Sequence, residues 1–339
     1  MLLLLFVAAI AGFIVWRYKR EQLKINNLKS KAVLVTGCDS GFGRHFALKC
    51  LREGMPVYAT CLTEQSKQEL TDSTRLHPGR LHAFVMDVTS EESVQEGRRF
   101  VEKTCGAYKG LHGIVNNAGI ASNTALDDWL SLEDYRKVVE VNTFGVILVT
   151  QTFKDLVKKT KHCYDIQRPN RDHRKYLRPR GTSGFGPYTV SKHAVEGYCD
   201  VIRSELANFG VRVAIIEPGF FQTPMTDPKR VTQQFQTLWD KTSPEIREEY
   251  GEKFFKAYQE KAGQMMDQFS SSHPEWVVEA YFHAISAKHP RERYQVGWDA
   301  NLLFIPLSFL PAGIQTAVMN AAQRFGGFPL PYAVERKLI

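Results

Sequence analysis

The thirteen residues from Lys31 to Gly43 constrain the fold more than any other part of the chain. Lys31-Ala-Val-Leu-Val-Thr36 is a short apolar run rich in β-branched residues, the pattern of a buried strand. It passes directly into Gly37-Cys38-Asp39-Ser40-Gly41-Phe42-Gly43. A helical pattern follows, with Phe46, Ala47, Cys50 and Leu51 on one side and Gly54 as its stop. Strand, glycine turn and helix in this order predict a dinucleotide site. Glycines let the backbone approach a pyrophosphate, and the free N–H groups of the helix start face the anion. A tight turn with no ligand is the plain alternative. The fold this predicts is α/β, a doubly wound parallel sheet of Rossmann type.

Farther along, Gly186-Pro187-Tyr188-Thr189-Val190-Ser191-Lys192 places a tyrosine and a lysine four residues apart, on one face of a helix. An ammonium beside a phenol favours the phenolate, and a phenol tuned that way exchanges protons with an alcohol or carbonyl near neutral pH. Alone, such a pair is common by chance and reads as an ordinary surface or core pair. The glycine turn upstream is what gives it weight.

The spacing Gly-x3-Gly-x-Gly, together with Tyr-x-x-x-Lys, resembles the short-chain dehydrogenase/reductase superfamily. Further motifs agree in order: Met86-Asp87-Val88 after a strand, Val115-Asn116-Asn117-Ala118-Gly119, Asn142 in Val-Asn-Thr-Phe-Gly, and Glu217-Pro218-Gly219 after the strand Val211–Ile216. Outside these, Cys38-Asp39-Ser40-Gly41-Phe42-Gly43, Thr60-Cys61-Leu62-Thr63, Ser243-Pro244-Glu245, Tyr250-Gly251-Glu252-Lys253-Phe254 and Gly297-Trp298-Asp299-Ala300 look like its retinol and hydroxysteroid dehydrogenase branch. The resemblance covers roughly residues 30–320. It implies that Tyr188 is the general acid/base, that Lys192 tunes it and holds the nicotinamide ribose, and that Asn142 positions a relay water. Gly37, Ser40, Gly41, Phe42, Gly43, Asp87, Val88, Asn117, Gly119, Pro218 and Gly219 would cradle the dinucleotide with Tyr188 and Lys192. It also implies a membrane-bound microsomal enzyme acting on retinols or hydroxysteroids, mostly with NAD, and a homodimer formed through faces that include the tyrosine helix.

Composition narrows the reading. A chain of 339 residues is long enough for one large domain or two, a doubly wound fold often runs this long as one, and 43% hydrophobic content can fill a core. The net charge of +8 is local rather than spread: residues 161–181 carry seven Lys/Arg against two Asp, and most of the rest follows the N-terminal apolar run. No aromatic-interleaved basic groove is present, which argues against a nucleic-acid partner. Six scattered cysteines show neither pairing nor zinc spacing, so reduced thiols and no metal site are expected.

Met1 to Trp16 carries no charge and is almost wholly apolar. As a helix it spans ~24 Å, slightly short of a ~30 Å hydrocarbon core. The basic cluster Arg17, Lys19, Arg20 follows the run instead of preceding it. That order suits an uncleaved anchor over residues 1–20, in the endoplasmic reticulum membrane with the catalytic part facing the cytosol. A cleaved signal peptide is the rival. Residues 30–220 would form the dinucleotide-binding and catalytic core, and 221–339 a helical substrate lobe and membrane-associated end. Leu302–Val318, interrupted by Pro306 and Pro311, reads as a broken helix that dips into lipid or covers the substrate mouth, or as an ordinary core helix.

Within the lobe, Val231, Phe235, Leu238 and Trp239 recur at helical spacing, as do Tyr250, Phe254, Phe255 and Tyr258, followed by Met265, Met266 and Phe269. Each stripe taken alone reads as core packing. In the superfamily, however, this segment lies over the substrate, and one so apolar suits a large lipophilic alcohol. The end of the second strand, Tyr58-Ala59-Thr60-Cys61-Leu62, has neither an acid for a ribose 2′-OH nor an arginine for a 2′-phosphate. Asp39 in the glycine loop would repel that phosphate, so NAD is favoured over NADP.

One departure stands out. The family's third catalytic group is a serine about thirteen residues before the tyrosine, at the end of the central strand. Lys175 and Arg174 occupy those places here. The stretch Lys161–Arg180 is dense in charge, and Pro169 and Pro179 break ladders, so it is not expected to form a buried central strand. Thr182 and Ser183 are the nearby hydroxyls, and Ser183 is a candidate substitute donor. Three further readings stay open. The segment is a mis-joined exon boundary, which the abrupt foreign composition favours; or the chain is a natural variant, a membrane-tethered NAD-binding pseudoenzyme; or Cys163–Ile166 forms a short makeshift strand without the serine.

Overall fold

The computed structural model describes residues 1–75, 80–121, 125–160, 164–167, 183–298, 302 and 305–336. Helix α1 (Leu2–Glu21) comes first. Strand β1 (Val33–Val35) turns through the glycines into α2 (Gly41–Arg52), and β2 (Val57–Cys61), α3 (Glu64–Ser73), β3 (Leu81–Val85), α4 (Glu91–Thr104) and β4 (Gly113–Asn116) continue the alternation. Helix α5 (Leu132–Val139) passes through a π-turn at Glu140–Phe144 into α6 (Gly145–Thr160). Then come β5 (Tyr164–Gln167), α7 (Gly186–Ala207) and β6 (Val213–Pro218). The C-terminal part holds α8 (Pro228–Lys241), α9 (Pro244–Tyr250), α10 (Glu252–Phe269), α11 (Glu275–Ser286) and β7 (Arg293–Val296), then α12 (Ile305–Ser308), α13 (Ala312–Phe325) and α14 (Tyr332–Glu335). The broken helix expected at 302–318 is broken: α12 ends at Ser308, and α13 restarts after Pro311 as its N-cap.

Among the described residues, seven parallel strands form one sheet in the order β3-β2-β1-β4-β5-β6-β7. Strands β1, β2, β4 and β6 are buried along their whole length, which explains their unbroken apolar sequence: helices cover both faces of the sheet. On one face α4, α6 and α7 contribute Val101, Phe153, Val195 and Ile202 to a core built on Leu34, Ile114 and Ile215. On the other, α2 and α11 contribute Phe46, Leu51, Val277 and Tyr281 against Val33, Val115 and Ile216. The chain reverses its direction of travel across the sheet between β1 and β4, and the carboxyl ends of the strands at such a switch point are where doubly wound folds bind ligands.

The expectation that the charged stretch cannot supply the central strand is corrected. Tyr164–Gln167 lies between β4 and β6, with Ile114 opposite Tyr164 and Ile166 opposite Ile215. These four residues carry one formal charge. A ladder requires only backbone N–H and C=O groups, so four residues suffice to join β4 to β6. The makeshift strand thus lies one residue later than Cys163–Ile166. The positions of Arg174, Lys175 and Thr182 lie outside the described residues, as do Asp299 and Ala300.

Among the described residues, no helix is long and apolar enough to cross a membrane. Leu5, Phe6, Phe13, Trp16 and Tyr18 of α1 are exposed. Its C-terminal end is built into the core. Glu21, 8% exposed, accepts from Arg291 Nε at 2.8 Å and Arg17 Nε at 3.0 Å. His283 bonds the Glu21 carbonyl, Ile25 N donates to Ser286 O at 2.8 Å, and Lys288 N donates to Leu23 O at 2.7 Å. Burial alone would raise the Glu21 carboxyl, but the two guanidiniums outweigh it and hold it below the usual glutamate value. A depressed pKa stabilises the joint above the unfolded-state value of about 4.3, and this contribution is lost as pH falls through the folded-state value. Hydrogen-exchange protection of the Ile25 and Lys288 amides is therefore expected to drop on acidification, and Glu21→Gln to lower it already at neutral pH. Equal protection in Glu21→Gln and wild type would refute this.

Candidate active site

The glycine turn is shaped by close approach. Gly37 has φ +68°, and a Cβ there would lie 2.8 Å from the Ala118 Cα. A Cβ on Gly43 would lie 2.3 Å from Asn117 Nδ2 and 2.4 Å from the Gly37 carbonyl. Gly41 differs: φ is +58°, and a Cβ would meet nothing within 4 Å. The turn is thus pressed against the β4 loop on one side and open on the other. Ser40, the N-cap of α2, spends no side-chain bond on the helix start. First-turn N–H groups facing open space beside a left-handed glycine form a cradle suited to a pyrophosphate. Phe42 packs edge-on against Phe221, with ring centroids 5.9 Å apart.

The β4 loop is stapled to this turn. Asn117 Nδ2 donates to the carbonyls of Thr36 and Gly37, both at 2.9 Å, and Thr36 Oγ1 accepts from the N–H groups of Asn117 and Ala118, both at 3.0 Å. Asn117 is thereby a brace for the cradle, and Thr36 is its counterpart. Sequence reasoning missed Thr36 although it adjoins Gly37. At the end of β3, the Asp87 carboxylate accepts from Thr89 N at 2.9 Å and Thr89 Oγ1 at 2.7 Å. Val88 is buried against Gly145, where a Cβ would come 2.8 Å from Val88 Cγ2.

The sequence has no acid at the end of β2, but the fold brings one. Asp39 Oδ1 accepts from Leu62 N at 2.8 Å, just past the end of β2, and Cys38 N donates to the Thr60 carbonyl at 2.7 Å. The five cysteines among the described residues are buried and free. Burial pushes the Cys61 thiol up to about 12.

Helix α7 carries Tyr188 and Lys192. Tyr188 is half-buried and Lys192 buried, with the Lys192 Nζ 5.4 Å from the Tyr188 ring centroid. Asn142, fully buried in the π-turn, accepts from Ile120 N at 2.8 Å through Oδ1 and donates through Nδ2 to Ile120 O at 2.8 Å and Ser191 Oγ at 3.1 Å. Ser191 Oγ in turn donates to the Tyr188 carbonyl at 2.8 Å. Both Nδ2 hydrogens of Asn142 are committed, so any share it takes in a proton relay runs through an oxygen. A Cβ on Gly119 would lie 3.1 Å from Asn142 Oδ1 and 3.7 Å from Lys192 Nζ. Gly119 thus joins the β4 loop to the pair. Ser191, lying inside the Tyr-x-x-x-Lys motif, is a second residue that sequence reasoning missed.

Ser183 is exposed and hydrogen-bonded to the Tyr258 hydroxyl, whose burial pushes it up to about 12. Gly184 (φ +84°) and Gly186 bring the chain into α7 against two phenols: Cβ atoms there would lie 2.8 Å from Tyr258 Oη and 2.3 Å from Tyr135 Oη. Pro218 closes β6, and Gly219 N donates to the Val296 carbonyl at 2.8 Å.

The apolar stripes of the lobe pack mainly on one another. Val231, Phe235, Leu238 and Trp239 of α8 meet Phe254, Phe255 and Tyr258 of α10 around Trp129, and Trp239 stacks on Phe255 at 4.7 Å. Trp239 Nε1 donates to Glu252 Oε1 at 2.9 Å. This third core lies beside the sheet, and Tyr258 is its link to the start of α7.

Comparison with known proteins agrees with this geometry. Residues 37–253 match a family model described as enoyl-(acyl carrier protein) reductase. Retinol dehydrogenase 16 of Mus musculus is 39% identical over 317 residues, covering 93% of this chain and 96% of that protein. The 17-beta-hydroxysteroid dehydrogenase type 6 of Bos taurus is 36% identical over 322 residues, with 93% and 96% covered. Among solved structures, a short-chain dehydrogenase/reductase from Burkholderia phymatum in complex with NAD superposes with a TM-score of 0.64 at 22% identity, covering 84% of this chain and 94% of that one. Levodione reductase superposes with a TM-score of 0.63 at 20% identity, with 81% and 98% covered. The glycine cradle, the Asn117 brace and the Tyr188–Lys192 pair on one doubly wound sheet, in a chain this close to such relatives, belong to a member of the short-chain dehydrogenase/reductase family.

Proposed function

We propose that the protein is an oxidoreductase that uses NAD to interconvert a lipophilic alcohol, a retinol or a hydroxysteroid, and its carbonyl. The observation that carries this reading is that Asn142 and Lys192 lie against Gly119, with Tyr188 beside Lys192, on the loop that braces the glycine turn. When bound, NAD accepts or returns the hydride. Gly37, Ser40, Gly41, Phe42 and Gly43 would hold its pyrophosphate side, Asp87, Val88, Asn117 and Gly119 its adenine and ribose side, and Pro218 and Gly219 its nicotinamide end. The Asp39 carboxylate at the end of β2 supports NAD over NADP, because a 2′-phosphate there would meet a negative charge. Tyr188 takes the alcohol proton or returns it, and the Lys192 ammonium stabilises the phenolate in between. Ser183 is the hydroxyl assigned to the substrate oxygen, and in that role it turns from Tyr258.

Helix α1 anchors the chain in the endoplasmic reticulum membrane on this reading, with residues 221–339 near the lipid and the sheet on the cytosolic side. The order of its apolar run and basic cluster supports this orientation. Pairing of two copies through faces that include α7 belongs to the same reading. A second reading is favoured by Arg174 and Lys175 standing where the family places its serine: a tethered NAD-binding protein without turnover.

One experiment separates the two. The full chain, reconstituted in phospholipid vesicles, is given all-trans-retinol or a 3α-hydroxysteroid with NAD or NADP. Carbonyl product with NAD, together with release from the vesicles on deletion of residues 1–20, is the expected result. NADH binding with no product from either alcohol establishes the second reading. Failure to bind either dinucleotide overturns both.

A further inference from the structure

Along α7, Tyr188, Lys192, Glu196 and Asp200 recur every four residues, so they form one ridge of the helix. Beyond Lys192 this ridge meets a buried cation. The Arg293 side chain, 10% exposed, donates from one terminal nitrogen to Glu217 Oε1 at 2.8 Å and from the other to Glu196 Oε1 at 2.7 Å, with Asp200 Oδ1 at 3.9 Å. Glu217 is fully buried in β6 and immediately precedes Pro218-Gly219. One guanidinium therefore joins the helix carrying Tyr188 to the strand ending in the Pro-Gly turn. Arg203 reinforces the joint, donating to the Val213 carbonyl at 3.1 Å and to Asp200 Oδ1 at 2.6 Å.

The spacing gives the cluster a chemical consequence. Glu196 stands four residues after Lys192, where the carboxylate of a helix can reach the ammonium. A lysine drawn to Glu196 is drawn away from Tyr188. Arg293 competes for that carboxylate with a fork that also engages Glu217, and a planar guanidinium holds two carboxylates in fixed geometry where an ammonium cannot.

We propose that Arg293 is a positioning residue for the reaction: by holding Glu196 and Glu217 it reserves the Lys192 ammonium for Tyr188 and fixes α7 against the Pro218-Gly219 turn. This rests on the roles proposed above for Tyr188 and Lys192. Among the described residues, the charged groups bearing on the pair are Lys192, Glu196, Asp200 and Arg203 from α7, Glu217 from β6 and Arg293 from β7.

The test compares Arg293→Gln/Glu217→Gln, in which no buried carboxylate is orphaned at β6, with the triple variant that adds Glu196→Gln. Tyr188 ionisation is read by ultraviolet difference titration of each protein against its own Tyr188→Phe form. Thermal midpoint, NADH affinity by fluorescence, kcat and KM are measured alongside. The double variant is expected to raise the Tyr188 titration by about one pH unit, lower kcat about tenfold and leave the KM for the alcohol within a few-fold. Adding Glu196→Gln is expected to bring the titration and kcat back toward wild type, although it removes a further contact. A purely structural Arg293 predicts the reverse order, and a triple variant no better than the double overturns the proposal. Should the double variant not fold, Arg293→Lys replaces it. It is expected to give a partial shift that Glu196→Gln reverses, and no reversal overturns the proposal equally. A wild-type Tyr188 that ionises like an ordinary phenol would instead refute the assignment of Tyr188 and Lys192, whatever Arg293 does.

Discussion

Replacing Tyr188 with phenylalanine is expected to lower kcat by about 10²–10⁴-fold, the range a positioned acid/base contributes and equal to about 3–5 kcal/mol of barrier. Dinucleotide affinity should change little. The ring stays beneath the Lys192 ammonium, and the cradle at Gly37–Gly43 is untouched. The fold should persist as well, because the Tyr188 group bonded by Ser191 is its main-chain carbonyl rather than its hydroxyl. Lys192→Ala is the contrasting variant. It removes a buried side chain within reach of Gly119, so binding and turnover should fall together. Stopped-flow NADH formation and equilibrium NADH titration on both variants check the split. Turnover that survives Tyr188→Phe at the wild-type rate would remove this tyrosine from the mechanism.

How much of this was legible in the sequence depends on how local each interaction is. The cradle could be read because a strand, three spaced glycines and a helix start are consecutive: Gly37 and Gly43 answer contacts within that loop or with the β4 loop, and Gly41 a left-handed backbone. The Tyr188–Lys192 pair could be read because helical spacing places both on one face. The central strand could be read only as one of several open possibilities, and one residue early. Its four residues have no apolar run to announce them, and their place between β4 and β6 is fixed by sheet neighbours far along the chain. Asp39 shows the same limit from the other direction. The end of β2 has no acid of its own, yet backbone geometry carries one to Leu62 from the glycine loop. The Arg293 cluster joins residues from α7, β6 and β7, nearly a hundred positions apart at its widest, and no periodicity signals a pairing of that kind. The aromatic stripes of the lobe were read with both meanings open. The structure spends most of them on a local core around Trp129, because side chains that large need partners on all sides to be buried.

Two glycines in the same loop should fail in different ways when given a methyl group. Gly41→Ala places a Cβ in open space, so its direct cost is the left-handed backbone, about 1–2 kcal/mol. The protein should fold and melt a few degrees lower. Dinucleotide binding should be lost or weakened by orders of magnitude, because the new methyl occupies the space that the uncapped start of α2 leaves for a pyrophosphate. Gly43→Ala drives its Cβ to 2.3 Å from Asn117 Nδ2 and 2.4 Å from the Gly37 carbonyl. Neither neighbour can yield freely, since the Asn117 amide is held by the carbonyls of Thr36 and Gly37 and the Gly37 carbonyl belongs to the turn itself. Overpacking of this kind costs about 1–3 kcal/mol and here also tears the brace between β1 and β4, so Gly43→Ala should lose stability and binding together. Thermal melts and NADH titrations of the two variants, run side by side, decide the matter. Gly41→Ala binding NADH at wild-type strength would mean that the open side of the loop is not where the cofactor lies. Gly43→Ala melting no lower than Gly41→Ala would mean that the Asn117 brace does not hold the turn.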